Sequence, residues 1–229
     1  MRPVGPWSVV IGLLLGVVRA SDKYDFEGEH DKWTTNEDQD RGFKLVKASE
    51  ARFEPGRPSK DTTLNTSEGH YGYASYDGSE EHFFLKRCLE PTGAQCQLRF
   101  NAIMGHEANV FVGTKLKCNC SESVQDTFFY SQLVNGSSAD GWVNYNIPIG
   151  EHVLTFEVNL FAINQREGSF VAIDDLELVD CETKAVDEVV CPADRPFHCY
   201  GTSVCLSLDQ RCDLHQDCLC GEDELDKLC

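Results

Sequence analysis

The C-terminal 39 residues, 191–229, carry the side chains with the clearest chemistry: the carboxylates of Asp213, Asp217, Asp223 and Glu224 lie among seven cysteines. Carboxylates brought together repel, because like charges about 4 Å apart cost about 4 kcal/mol per pair at an effective dielectric near 20. Such a cluster implies a bound cation, and hard oxygen ligands favour calcium. Zinc would prefer thiolates, but an oxidising compartment converts cysteines to disulfides.

This segment is too short to fold on a hydrophobic core alone, so it needs disulfides or a metal. We expect both. Its cysteines are Cys191, Cys199, Cys205, Cys212, Cys218 and Cys229, with one extra at Cys220.

The segment resembles the LDL-receptor class A repeat over its whole length. The residues that carry the resemblance are Phe197-His198-Cys199, Cys205-Leu206, Cys212-Asp213, Asp217-Cys218 and Asp223-Glu224. The family has a calcium ion with a mostly structural role, and metal binding then supplies part of the folding free energy.

The resemblance also implies a pairing of cysteines and a set of calcium ligands. The implied disulfides are Cys191–Cys205, Cys199–Cys218 and Cys212–Cys229. The implied ligands are the side chains of Asp213, Asp217, Asp223 and Glu224 and the backbone carbonyls of Gln210 and His215.

Two positions depart from the family. Relatives that grip a partner's lysine usually carry an aromatic residue where this chain has Gln210, so the apolar shelf for a lysine is missing. Cys220 replaces a residue that is usually acidic, and it leaves the module with an odd number of cysteines.

The elements before this module are predicted to be strands. Apolar and polar residues alternate over 98–104 and 154–160, which is the period of a strand with one buried face. Further β-rich runs cover residues 43–48, 70–76, 110–116 and 170–178, and no long helical pattern occurs. We expect two packed antiparallel sheets in residues 21–181. Residues 182–190 lack Gly and Pro and form a stiff linker to the module at 191–229.

Motifs along this region resemble a MAM domain, an adhesion jelly roll that is not itself catalytic. They are Asp25-Phe26-Glu27, Asp61-Thr62-Thr63, Glu68-Gly69-His70-Tyr71, Cys96-Gln97-Leu98-Arg99-Phe100 and Ala172-Ile173-Asp174-Asp175-Leu176. The resemblance implies a Cys96–Cys181 disulfide. Some relatives bind a cation near these motifs, which makes Glu27, Asp61 and Asp175 candidates for a second metal site. The alternative is that they are solvated or hydrogen-bonded carboxylates.

Four cysteines have no assigned partner: Cys88, Cys118, Cys120 and Cys220. A bond between Cys118 and Cys120, which only one residue separates, would be strained, so one of them could bridge Cys88. The remaining thiol could pair with Cys220 and join the two domains. A covalent homodimer through Cys220 is the competing hypothesis.

The first twenty residues predict secretion. A basic Arg2, an apolar run over residues 9–18 and small residues before Ser21 form a signal peptide, and the run is too short for a membrane anchor. No later stretch is apolar enough to span a bilayer. Twelve cysteines suit an extracellular location, where the sequons at Asn65, Asn119 and Asn135 are glycosylation sites.

Charge and motifs exclude several functions. The formal net charge of −18 opposes binding to nucleic acid and favours calcium or a basic partner. His106-Glu107-Ala108-Asn109 begins like a zinc-protease motif, but Val110 stands where the second histidine is needed. Nucleophile-elbow, P-loop and dinucleotide-binding motifs are absent, so we expect no enzyme.

The leading hypothesis is therefore calcium-dependent recognition of an extracellular protein in adhesion or receptor assembly. A second hypothesis is carbohydrate binding by the jelly roll, with exposed aromatic residues stacking on sugars; the candidates are Trp33, Tyr71, Tyr73 and Trp142. A third is that the chain is a fragment or short form of a larger modular receptor or protease.

Overall fold

The computed structural model describes most of the chain between residues 23 and 229. The described residues are 23–28, 33–35, 43–53, 57–75, 82–105, 108–119, 122–135, 141–164, 168–182, 189–200, 202–224 and 229. The predicted signal peptide, residues 1–20, lies outside them, as do His106 and Glu107. Within this part of the chain, no helix is long and apolar enough to cross a membrane.

Strands dominate the described residues. They are β1 (Lys23–Tyr24), β2 (Thr34–Thr35), β3 (Lys44–Lys47), β4 (His70–Ser75), β5 (His82–Leu89), β6 (Gln97–Met104), β7 (Ala108–Asn119), β8 (Glu122–Asn135), β9 (Val143–Pro148), β10 (Phe156–Asn164), β11 (Phe170–Val179), β12 (Phe197–His198) and β13 (Cys205–Leu206). The helices of the described part are short 3-10 turns at Ala48–Phe53, Leu208–Gln210 and Glu222–Glu224.

The strands form two larger sheets and one small one. The first sheet has the order β3-β4-β11-β6-β9, and β1 also pairs with β11. The second has the order β2-β5-β10-β7-β8, and β12 pairs with β13 alone. The neighbouring strands run antiparallel in all three sheets. The prediction of a mainly β, antiparallel chain is confirmed.

The alternating pattern of β6 and β10 places one face of each sheet in a shared core. Residues of β6 alternate between half-buried and buried, and Leu98 and Phe100 are completely enclosed. They pack in one cluster with Phe156, Val158 and Leu160 of β10 in the other sheet. Burying each such side chain stabilises the fold by about 1.5–3 kcal/mol. This two-sheet unit is called the sandwich below.

The first sheet is covered on its other face as well, which the alternation did not predict. Tyr71 and Tyr73 of β4 are buried there in a second cluster, with Trp142 packed against it. The Tyr71 hydroxyl donates a 2.8 Å hydrogen bond to the Pro58 carbonyl, and the Trp142 indole N–H donates one of 2.8 Å to the Lys60 carbonyl. The segment at residues 57–60 therefore forms a lid over this face.

A disulfide closes the sandwich. Cys96, just before β6, is bonded to Cys181, just after β11, across 85 residues of sequence. It is the pair that the MAM resemblance implies. In chain-entropy terms, closing a loop of this length stabilises the folded state by roughly 4–5 kcal/mol.

Candidate functional site

The C-terminal module, residues 191–229, is built on cross-links rather than on a core. Its disulfides join Cys191 to Cys205, Cys199 to Cys218 and Cys212 to Cys229. These are the pairs that the class A resemblance implies. Leu206 is buried in one cluster with Cys199 and Cys218, with Phe197 packed against it. The polypeptide around this small centre is mostly loop, so its shape depends on the disulfides and on polar contacts.

Two of the predicted ligands hold the backbone of the loop that follows Cys212. The carboxylate of Glu224 accepts hydrogen bonds from the N–H groups of Asp213 (3.0 Å) and Leu214 (2.9 Å). Asp213 in turn accepts one from the N–H of His215 (2.8 Å). These contacts bring the segment 212–215 against the 3-10 turn Glu222–Glu224. Leu214 is thereby held at φ 70°, a conformation that favours glycine.

Asp223 is the buried member of the set. Its Oδ2 accepts a 2.6 Å hydrogen bond from the N–H of Asp217, and its side chain is completely buried. Its Oδ1 is also enclosed and has no hydrogen-bond partner among the described residues. A buried carboxylate oxygen without a partner costs several kcal/mol unless a cation or donor compensates it. The donor set fits calcium, because it consists of oxygens and the neighbouring cysteines are all disulfide-bonded.

The predicted ligands approach one another without converging. No three of the four carboxylates place oxygens within 4.8 Å of one another in the described part, since Glu224 and Asp213 are turned onto backbone N–H groups. The group of ligand-type atoms that does meet this distance is Cys199, Cys218 and Glu222. Because those two sulfurs are bonded to each other, they supply no thiolate for a metal.

Gln210 does not offer a surface for a partner's side chain. It ends the 3-10 turn Leu208–Gln210, and its side-chain oxygen accepts hydrogen bonds from the N–H and hydroxyl of Ser207. The side chain therefore caps its own turn. The guanidinium of the next residue, Arg211, lies 4.9 Å from the centre of the Phe197 ring. The aromatic shelf whose absence the sequence indicates is not replaced by either residue.

The sandwich carboxylates proposed as a second metal site are held by separate partners. Glu27 accepts hydrogen bonds from the backbone N–H and the ring of His70. Asp61 is buried and caps the turn that follows it, accepting from the N–H groups of Leu64 and Thr66. Asp175 forms an ion pair with Lys23, described below. Among the described residues, Glu27, Asp61 and Asp175 do not place their oxygens within 4.8 Å of one another.

Asp174 is a buried carboxylate that the sequence did not single out as a candidate site residue. It is completely buried at a bulge in β11, and its carboxylate accepts hydrogen bonds from the N–H and hydroxyl of Thr62, both at 2.8 Å. Burial raises its pKa to about 6, and the charge of Asp175 adds to this, while the bonds from Thr62 act against it. The adjacent pair Asp174-Asp175 was the only signal, and it does not tell which carboxylate is buried.

Asp175 has the opposite electrostatic environment. It lies at φ 56°, 2.7 Å from the ammonium of Lys23, and accepts a hydrogen bond from the Thr63 hydroxyl. Burial raises its pKa, but the bond from Lys23 and those from Thr63 and Thr62 outweigh burial, so the pKa is held below its ordinary value. The pKa values of these two neighbouring carboxylates are thus shifted in opposite directions.

The aromatic residues named for sugar stacking are not exposed. Trp33 and Tyr73 are buried, Tyr71 is fully enclosed, and Trp142 is half-buried with its N–H engaged by Lys60. The carbohydrate hypothesis predicted that these side chains are exposed. That prediction is wrong, because the lid at 57–60 and the sandwich core cover them.

The remaining sequence predictions fall partly outside the described side chains. Asn65 is exposed in a turn, as a glycosylation site requires. The side chains of Asn119, Asn135, Cys118 and Cys120 are not described. Cys88 and Cys220 are both disulfide-bonded.

No family model matches the chain. Among solved structures, it is similar to TmCBM61 in complex with β-1,4-galactotriose, with 17% identity, a TM-score of 0.46, and coverage of 68% of this chain and 94% of that one. It is also similar to the K1 cleaved adhesin domain of Lys-gingipain from Porphyromonas gingivalis W83, with 11% identity, a TM-score of 0.47, and coverage of 71% and 99%. A point mutant of a family 29 carbohydrate-binding module has 14% identity and a TM-score of 0.38 over 69% of this chain and 93% of that one. At these levels the chain is not assigned to either group.

Proposed function

We propose that this chain is a secreted, non-enzymatic binding protein that recognises an extracellular protein partner in a calcium-dependent manner. Its residues 21–181 form a MAM-like jelly roll, and residues 191–229 form an LDL-receptor class A-like module. The two-sheet sandwich, the Cys96–Cys181 bond and the three disulfides of the module support this reading.

The observation that carries the calcium proposal is the buried oxygen of Asp223. The four carboxylates belong to a module that has eight acidic and three basic side chains, a net charge of −5. Among the described residues, Asp223 Oδ1 is enclosed and without a partner. A bound calcium ion would neutralise this charge and hold the two ends of the loop together. Asp213, Asp217, Asp223 and Glu224, with the carbonyls of Gln210 and His215, would hold the ion.

The chain's own residues then shape the surface that a partner meets. Glu224 fixes the backbone at Asp213 and Leu214, so Leu214 projects from the loop with 93% of its surface exposed. Other exposed apolar side chains surround the module; they are Tyr200, Val204, Leu208 and Leu219. An acidic surface with exposed apolar side chains suits a basic partner. Complementary charge steers association, and apolar contact slows dissociation.

The proposal is tested by binding of the labelled, full-length protein to cultured cells, followed by flow cytometry. We expect saturable binding in calcium that EDTA abolishes and that prior trypsin treatment of the cells removes. Asp223→Asn should lose this binding, whereas Asp194→Asn, which removes an exposed carboxylate of the same module, should keep it.

Other outcomes would redirect the proposal. Binding that persists in EDTA would remove the role assigned to the module. Binding that resists trypsin but disappears after glycosidase treatment of the cells would replace protein recognition with carbohydrate recognition.

A further inference from the structure

Cys220 is disulfide-bonded, and its partner lies outside its own module. Every other cysteine of residues 191–229 is already paired within the module, in the bonds Cys191–Cys205, Cys199–Cys218 and Cys212–Cys229. A sulfur forms one such bond, so none of these six can accept Cys220. The remaining cysteines of the chain belong to the sandwich region, where Cys96 and Cys181 are bonded to each other.

The local structure presents Cys220 at the surface of the module. It occupies a tight turn in which the Gly221 N–H donates a 3.0 Å hydrogen bond to the Cys218 carbonyl. Gly221 closes the turn at φ 66°, where a side chain would be strained. Cys218 is buried in the centre of the module, Leu219 is exposed and Cys220 is half-exposed. The turn thus directs the two residues after Cys218 away from the module's interior.

We propose that Cys220 forms an interdomain disulfide with a cysteine of the sandwich region other than Cys96 and Cys181. The bond forms by thiol–disulfide exchange with an oxidised protein dithiol of the secretory pathway. The two chain thiols lose two protons and two electrons, one S–S bond forms between them, and the oxidant is left as a dithiol. Such a bond follows from the cysteine pairs alone and is independent of calcium and of any partner.

Such a bond gives the module two covalent attachments, the linker at residues 182–190 and the disulfide at Cys220. The second attachment lies beside the turn Glu222–Glu224, which carries Asp223. A module attached at two points samples fewer orientations than one on a linker alone. A surface that spans both domains is therefore preorganised, which reduces the entropy lost when a partner binds.

Cleavage of the linker tests the bond directly. A recognition sequence for a specific protease replaces residues 183–188 in the secreted, full-length protein, and the cleaved product is run with and without reductant. We expect the two fragments to migrate together without reductant and to separate with it. Peptide mapping without reduction should recover a linked pair with Cys220 on one side and a sandwich peptide on the other.

Two results would overturn the proposal. Fragments that separate without reductant would show that no interdomain bond exists. A protein of twice the chain's mass that reductant halves, with Cys220 linked to a peptide of a second copy, would make the bond intermolecular.

Variants at Cys220 provide the control. Cys220→Ser and Cys220→Asp should both release the module after linker cleavage without reductant and leave a titratable thiol in the sandwich fragment. Ser203→Ala, an exposed substitution in the same module, should leave the fragments joined. If the Cys220 variants also keep the fragments joined, the bond does not involve Cys220.

Discussion

The sandwich and the module are stabilised in a single conformation by different interactions. The sandwich buries a continuous set of large side chains between two sheets, and Phe100, Phe156 and Leu160 are completely enclosed. Among the described residues, the buried cluster of the module consists of Leu206, Cys199 and Cys218. A segment of 39 residues cannot bury enough apolar surface, so its three disulfides supply what the core does not, and the proposed calcium ion would add to them.

The contrast extends to buried charge. Asp174 in the sandwich and Asp223 in the module are both completely buried. The sandwich satisfies Asp174 internally, through three hydrogen bonds from Thr62 and the N–H of Asp175. The module leaves one oxygen of Asp223 without a partner among the described residues. A larger fold can supply its own donors, whereas in the module the proposed calcium ion would compensate the unpartnered oxygen.

Removal of calcium should produce the largest difference in stability between the module and the sandwich. We expect EDTA to unfold the module and leave the sandwich intact, because the metal binds only the folded loop. At a calcium concentration near 100 times Kd, this linkage is worth about 2.7 kcal/mol, so amides of the module should exchange about 100-fold faster after chelation. Hydrogen exchange with mass spectrometry measures both regions in one sample. Equal loosening of the sandwich strands would contradict the division.

Truncation of the core should have the reverse effect, destabilising the sandwich and leaving the module as it is. Phe100→Ala removes a fully buried ring from β6 and should destabilise the sandwich by about 3–5 kcal/mol. Chemical denaturation with intrinsic fluorescence measures this loss. Calcium affinity of the module should be unchanged, and a parallel fall in that affinity would show that the module depends on the sandwich core. Val143→Ala, at a partly exposed position of the edge strand β9, is the matched control and should cost little.

The pH dependence of the sandwich follows from Asp174. Its pKa is raised to about 6, so the folded state favours the protonated form, and its contribution to stability is present below about pH 4 and lost as pH rises through 6. The shift of about two units corresponds to a change on the order of 3 kcal/mol. Asp175, with a lowered pKa, acts oppositely, and its contribution is lost as pH falls below about 4.

Denaturation curves between pH 4 and 7 measure this effect. Asp174→Asn should flatten the change between pH 4 and 6, while Asp175→Asn, which removes only the smaller contribution of the neighbouring charge to the pKa of Asp174, should flatten it less. A wild-type sandwich that gains stability steadily from pH 4 to 6 would contradict the assignment.

The smallest expected effect concerns the loop at Leu214. This residue lies at φ 70°, where glycine is favoured, and its side chain is 93% exposed. Leu214→Gly should therefore stabilise the calcium-loaded module by about 1 kcal/mol, measured as slower amide exchange. Leu208→Gly, an exposed position without positive φ, should instead lower stability. A loss of stability in Leu214→Gly would mean that the leucine side chain makes a stabilising contact.

The alternation of β6 and β10 was readable from the sequence because one face of each strand lies in the shared core. Other features were hidden by their context. In the edge strand β9 only Ile147 is buried, so its alternation of apolar and polar residues is too weak to predict a strand. Burial of Tyr71 and Tyr73 depends on the lid at residues 57–60, which no period-two pattern reports.

The candidate site was predictable to a similar extent. The cysteine spacing indicated a cross-linked module, and the three disulfides are present. The cation that its carboxylates indicate stays a prediction. The sequence could not distinguish Asp174 from Asp175, since their different environments arise from Thr62 and Lys23, which are distant in the chain. The separate partners of Glu27, Asp61 and Asp175 likewise follow from local turns and contacts, which the motifs alone do not specify.

Calorimetric titration of the secreted, full-length protein with CaCl2, compared with Asp223→Asn and Asp194→Asn, tests the central claim most directly. We expect the wild type and Asp194→Asn to bind calcium at a site that Asp223→Asn lacks, with all internal disulfides of the module intact in each. Equal calcium binding by wild type and Asp223→Asn, or none by the wild type, would contradict the account of the module as a fold completed by a cation.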